Sequence, residues 1–228
     1  MTGLAGRLDE VRRSIAAACG RSGRDPRSVR IVAVTKTHPA ETVVEAVAAG
    51  VDAIGENRVQ EAAGKKPATP GPVPWHLIGP LQRNKARQAL ELFDVLESLD
   101  RAVLADRLES LLDGGERVLP VFLEVNVGGE AQKSGVLPGG AQALAEHVVE
   151  RCPHLRLAGL MTVPPYDPDP ERSRPHFAAL RELAERLAPR LGHGRLELSM
   201  GMSEDFPVAV EEGADWIRVG RALFGARQ

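Results

Sequence analysis

The chain has 228 residues, 43% hydrophobic and 26% charged, with 29 Lys and Arg against 31 Asp and Glu for a formal net charge of −2. That length supports one sizeable core within the usual range of an α/β barrel, and near-neutral charge with only 4% aromatic residues argues against nucleic acid or an anionic membrane as partner. The two cysteines, Cys19 and Cys152, lie far apart, which excludes a disulfide framework and points to reduced, buried thiols in a cytoplasmic protein.

Arg7, Asp9, Glu10, Arg12 and Arg13 stand where a signal peptide needs its apolar stretch, and no apolar run approaches membrane-spanning length. Leu4, Leu8, Val11, Ile15 and Cys19 recur at helical spacing, predicting an N-terminal helix over residues 1–20 that ends at Gly20. Residues 29–35 (VRIVAVT) form a β-branched run of the kind buried on both faces in a parallel sheet. Pro39 then opens a helix carrying Ala40, Val43, Val44 and Val47 on one face, and Gly50 closes it. Further strands are expected at 52–54, 75–78, 95–97, 120–127, 157–161, 196–199 and 216–219. Helical patterns lie between them, notably 100–112 with Asp100 as N-cap and 171–188 with Phe177, Leu180, Leu183 and Leu187 in a stripe. Residues 163–175, rich in proline and charge, predict a surface loop and no domain boundary. Alternating strands and helices call for a parallel sheet, and eight strands close it into a single (β/α)8 TIM barrel spanning residues 1–228; a doubly wound open sheet is the alternative.

Barrel chemistry sits at the carboxyl ends of the strands, and there this chain is polar. Lys36 follows the first strand, Glu56 and Asn57 the second, Asn126 the fifth, Ser199-Met200-Gly201-Met202-Ser203 the seventh and Gly220-Arg221 the eighth. A lysine at a low-dielectric rim has its ammonium disfavoured and its amine made nucleophilic, although on position alone a snorkelling or salt-bridged lysine is the commoner case. Taken alone, Asn57 reads as a helix cap and Glu56 as a rim charge pair. The SMGMS turn, with Ser203 able to cap a helix from about Glu204, and the Gly220-Arg221 turn fit a phosphate site in the loops after strands seven and eight. Arg218 is a charge inside an apolar strand, so it needs an acceptor; Glu197 and Asp215 are the acidic neighbours at hand. The six histidines show no metal spacing, and no nucleophile elbow or P-loop is present. Lys133 and His76 read, singly, as surface and core residues.

Taken together, VTKT around Lys36, GENRVQE from Gly55, HLIGPLQRNK from His76, EVNVGGEAQKSG from Glu124, GLMTVPP from Gly159, LSMGMSEDFPVAVEEGADWIRVG from Leu198 and ALFG from Ala222 resemble the pyridoxal phosphate homeostasis proteins, a family like the alanine racemase N-terminal domain. The resemblance implies a barrel of the fold type III kind, with pyridoxal 5′-phosphate as cofactor. It implies a Schiff base on Lys36, Asn57 beside the ring, and Ser199, Met200, Gly201, Ser203, Gly220 and Arg221 around the phosphate. Arg218 would face the pyridine nitrogen, and a cation there keeps that nitrogen unprotonated and weakens the ring as an electron sink. The family pattern usually has threonine where Arg221 stands, which removes a hydroxyl contact.

Three functions follow. The first is a cofactor holder in intracellular pyridoxal phosphate homeostasis, without clear turnover, handing its cargo to pyridoxal-phosphate-dependent apoenzymes. The second is an amino-acid racemase, which needs an acid/base on each face of the bound amino acid. The only tyrosine, Tyr166, lies in the proline-rich loop with no evident reason to reach the site, so the holder is favoured. The third is a cofactor-free Schiff-base aldolase using Lys36 directly. A monomer is the expected state.

Overall fold

A computed structural model describes residues 3–225. Its eight strands are β1 (Arg30–Val34), β2 (Ala53–Glu56), β3 (Trp75–Leu77), β4 (Val95–Leu99), β5 (Leu119–Glu124), β6 (Leu155–Met161), β7 (Glu197–Ser199) and β8 (Trp216–Val219). Each pairs in parallel with the next and β8 returns to β1, closing the barrel. A helix follows every strand: α2 (Ala40–Ala49), α3 (Val59–Lys65), α4 (Ala86–Leu92), α5 (Ala102–Leu112), α6 (Pro138–Arg151), α7 (Arg174–Arg190), α8 (Phe206–Glu211) and α9 (Arg221–Phe224). Before them stands α1 (Leu4–Ser22), whose stripe of Leu8, Val11, Ile15 and Cys19 is buried in the core. The helix runs past Gly20 and stops at Gly23, whose left-handed backbone (φ 69°) lets its N–H reach the Cys19 carbonyl.

The apolar residues divide into two layers. Most lie between strands and helices, while Val32, Ala53, Phe122, Met161 and Trp216 fill the barrel lumen. The amino-terminal end of the lumen is shut: the Arg30 guanidinium lies 3.9 Å over the Trp216 ring and pairs with Glu197 at 2.6 Å. Trp216 Nε1 donates to the same carboxylate at 2.9 Å. The open end is therefore the carboxyl end, where loops carry the polar side chains.

Several boundaries differ from the sequence expectation, each for a local reason. β5 ends at Glu124 because the chain turns at Asn126, whose side-chain amide both accepts from and donates to the Glu130 backbone; Val125 keeps only an isolated bridge to Val136. α7 starts at Arg174, after a 3-10 turn capped by Asp169 through the Glu171 N–H. Asp100 does not cap α5: the N-cap is Arg101, and the Asp100 carboxylate pairs with that residue's guanidinium.

Candidate functional site

Lys36 emerges one residue past Thr35 at the top of β1. It shares a cavity of about 300 Å³ with Asn57, Ser203, Arg218, Gly220 and Arg221. Six sequence-expected residues therefore meet at one rim. Ser199, Met200 and Gly201 do not line this cavity; all three are buried behind it.

The loops after β7 and β8 are joined by one hydroxyl. Ser203 Oγ accepts from the Gly220 N–H at 3.3 Å and the Ala222 N–H at 3.1 Å. Ser203 thus serves the start of α9, not α8 as its sequence position suggested. α8 begins only at Phe206, because the Asp205 carboxylate takes the Met202 N–H at 2.7 Å and the Ser173 hydroxyl at 3.1 Å. Gly201 allows this tight path: its φ is +92°, and a Cβ there would lie 2.6 Å from the Ala209 Cβ. Arg221, in place of a hydroxyl, reaches across the rim to Glu204 at 2.7 Å. On the other side Gly79 packs against Asn57 so closely that a Cβ would stand 2.5 Å from its carbonyl oxygen.

Arg218 is 4% exposed. Its guanidinium donates to Ser199 Oγ and to the Thr162 carbonyl, both at 2.7 Å. Neither Glu197 nor Asp215 is its partner, contrary to the sequence expectation: Glu197 pairs with Arg30, and Asp215 with Arg24 and Arg195. The acidic counterpart is Glu97 of β4, 4.0 Å away and fully buried. Glu97 accepts from Ser199 Oγ and meets His76 Nδ1, each at 2.5 Å. Burial pushes the Glu97 carboxyl up, but His76, Arg218 and Ser199 outweigh it and hold it below the usual carboxylate range. Sequence reasoning missed Glu97: a buried arginine signals that it needs a buried acceptor, but Glu56, Glu97, Glu124 and Glu197 all lie in strands and the sequence does not choose among them.

A second buried acid, Glu124, ends β5, and its Oε2 has no hydrogen-bond partner. Burial first, then the nearby Asp100, raises its carboxyl to about 7 against the pull of Arg218. Glu56 is no rim charge: it is fully buried beneath Lys36, accepting from Thr35 Oγ1 at 2.6 Å and from Lys65 Nζ at 2.7 Å. His76 is a core residue as expected, and Lys133 a half-buried one bound to the Pro164 carbonyl at 2.9 Å. Tyr166 corrects the sequence expectation, since it lines the Lys36 cavity while remaining 78% exposed.

This barrel and rim belong to the alanine racemase N-terminal-domain family, whose model matches residues 7–228. The match takes in most of α1, which precedes the motifs beginning near residue 30. Within that class the chain is a member of the pyridoxal phosphate homeostasis protein family. It is 46% identical to the family's protein from Pseudomonas aeruginosa, covering 100% of this chain and 97% of that one. The Escherichia coli K12 protein of the same name is 38% identical over 100% and 98%. Among solved structures, PipY of Synechococcus elongatus with pyridoxal phosphate bound superposes with a TM-score of 0.83 at 38% identity, covering 97% of this chain and 100% of that chain. A D-threonine aldolase from Filomicrobium marinum gives a TM-score of 0.76 at 18% identity; that likeness concerns the fold alone.

Proposed function

We propose that the protein holds pyridoxal 5′-phosphate as a Schiff base on Lys36 and serves intracellular cofactor homeostasis, keeping and releasing the cofactor without turning over a substrate. The observation that carries this reading is the convergence of Lys36, Asn57, Ser203, Arg218 and Gly220 on one cavity. The names of its relatives and the cofactor-bound PipY structure support it over a cofactor-free aldolase.

The donor set fits the group: an amine for an aldehyde, the Ser203 hydroxyl and the Arg221 guanidinium for a phosphate, and a buried arginine for a ring nitrogen. When bound, pyridoxal phosphate would supply an aldehyde for the Lys36 amine and an electron-withdrawing ring. Asn57 would lie beside that ring. Ser203, Gly220 and Arg221 would hold the phosphate, with Glu204 as a nearby anion opposing it. Arg218 keeps its protons and so leaves the ring nitrogen an acceptor. Ser199 acts from behind by orienting Arg218, and Met200 and Gly201 by shaping the loop. We further propose residues 1–228 as one unit, monomeric and cytoplasmic, with pyridoxal-phosphate-dependent apoenzymes as recipients.

The test is colour. Purified protein given pyridoxal phosphate should turn yellow, the band should shift on borohydride reduction, and Lys36→Ala should lose it. A wild-type protein that gains no more absorbance than Lys36→Ala refutes the reading. Tyr166 at the cavity favours a second reading, slow racemisation of an amino acid. Incubating the coloured protein with L-alanine in deuterated water decides between them: Cα exchange at enzymatic rates that Tyr166→Phe abolishes would establish the second.

A further inference from the structure

Lys36 is flanked by two threonines that α3 and β2 hold from below. Thr35 is fully buried. Its carbonyl accepts from Lys65 Nζ at 2.8 Å, its hydroxyl donates to Glu56 Oε1, and its N–H donates to the Gly55 carbonyl at 3.1 Å. Thr37 has φ +68°, the only non-glycine residue in that region among the described residues. A β-branched side chain disfavours this conformation, so something outside the residue maintains it. Its N–H donates to Glu61 Oε2 at 2.7 Å. Lys65 joins the two halves: its ammonium lies 2.7 Å from Glu56 and 3.5 Å from Glu61, which sits one turn earlier on the same face of α3.

We propose that Glu61, Lys65 and Glu56 form a clamp that fixes the backbone on both sides of Lys36 and thereby sets the direction in which its side chain enters the cavity. They are positioning residues. Glu61 holds the strained Thr37 turn from one side, and Lys65, itself steadied by both carboxylates, holds Thr35 from the other. Lys65 donates to the Thr35 carbonyl just past β1 and to Glu56 of β2, and pairs with Glu61 of α3, which ties the lysine-bearing turn to the neighbouring β/α unit. The Glu61 carboxyl lies below its ordinary value: burial works against this, and the Thr37 N–H and Lys65 outweigh it. Ionised, it makes the bond from the Thr37 N–H a charge-assisted one. The inference rests on the role of Lys36 given above.

The experiment uses the full chain and two readouts. Hydrogen exchange at the Thr37 amide reports the clamp directly, and stopped-flow absorbance with pyridoxal phosphate as probe reports capture by Lys36. Glu61→Ala, which removes the acceptor, should speed Thr37 exchange and slow or weaken capture, each by about tenfold, the range expected when support for one strained residue is lost. Adding Thr37→Gly should return capture to near wild type, because glycine occupies φ +68° unaided, while exchange stays fast. A merely structural role would lower the melting temperature without that rescue. Glu61→Ala leaving Thr37 exchange unchanged, or a double variant as slow to capture as Glu61→Ala, overturns the clamp. A wild type that captures no better than Lys36→Ala instead overturns the Lys36 reading, and the exchange measurement still decides the clamp.

Discussion

Replacing Glu124 with glutamine should stabilise the protein, and only above a definite pH. The carboxyl is 9% exposed and one oxygen lacks a partner, so burial favours the protonated form and lifts its pKa from the ordinary 4.5 to about 7. In the unfolded chain the group ionises near 4.5. Between these values the native state binds more protons than the unfolded state, so stability falls as pH rises through the window. At about 1.4 kcal/mol per pH unit, ionising Glu124 in the fold costs up to about 3 kcal/mol by pH 8. Glutamine keeps the shape and removes the charge. Urea denaturation at pH 5 and pH 8 should show Glu124→Gln close to wild type at pH 5 and more stable by roughly 2–3 kcal/mol at pH 8. A gain of equal size at both pH values, or none at pH 8, would refute the argument from burial.

Arg218→Met leaves the fully buried Glu97 without its cation and should cost about 3–5 kcal/mol in urea denaturation; adding Glu97→Gln should recover part of it, and additive losses would show the two are not coupled. Glu204→Gln removes an anion beside Ser203 and releases Arg221, so affinity for pyridoxal phosphate should rise about two- to fivefold at low salt and the gain should fade at high salt. Isothermal titration at two ionic strengths checks this. Gly201→Ala forces a Cβ to 2.6 Å from Ala209 at φ +92° and should lower stability by about 1–3 kcal/mol, read as an earlier thermal transition. The Cys152 thiol is buried and raised to about 11 by burial and by Glu109 and Asp106; Ellman's reagent should reach it only after unfolding.

The barrel was legible because its signal is local. Residues 31–34 are an apolar run bounded by polar turns, 216–219 is one interrupted only by Arg218, and the stripe on α1 needs only helical spacing to be seen. Lys36, Ser203, Gly220 and Arg221 were legible for the related reason that strand ends are marked by where the apolar run stops. What stayed hidden depends on distances across the lumen or between loops. Arg218 meets Glu97, a residue of β4 that stands 121 positions earlier in the chain, and no periodicity reports which buried charge faces which. The caps failed similarly: Asp100 and Ser203 have the right chemistry, but Arg101 takes one and the α9 N–H groups take the other. Tyr166 reaches the cavity because its loop bends back over the rim, a path that proline content marks as irregular without giving its direction.

Both tryptophans are barrel residues, Trp75 on β3 at 1% exposure and Trp216 on β8 at 7%, and Trp216 stands two positions before Arg218 with its ring 4.8 Å from His76. The intrinsic fluorescence of the chain therefore originates almost wholly within the barrel wall and lumen, shielded from solvent quenchers. A yellow chromophore held at the rim would accept that emission by resonance transfer, dimming it in proportion to occupancy. Loading and release could be followed continuously in unlabelled protein, with the barrel itself as the optical gauge.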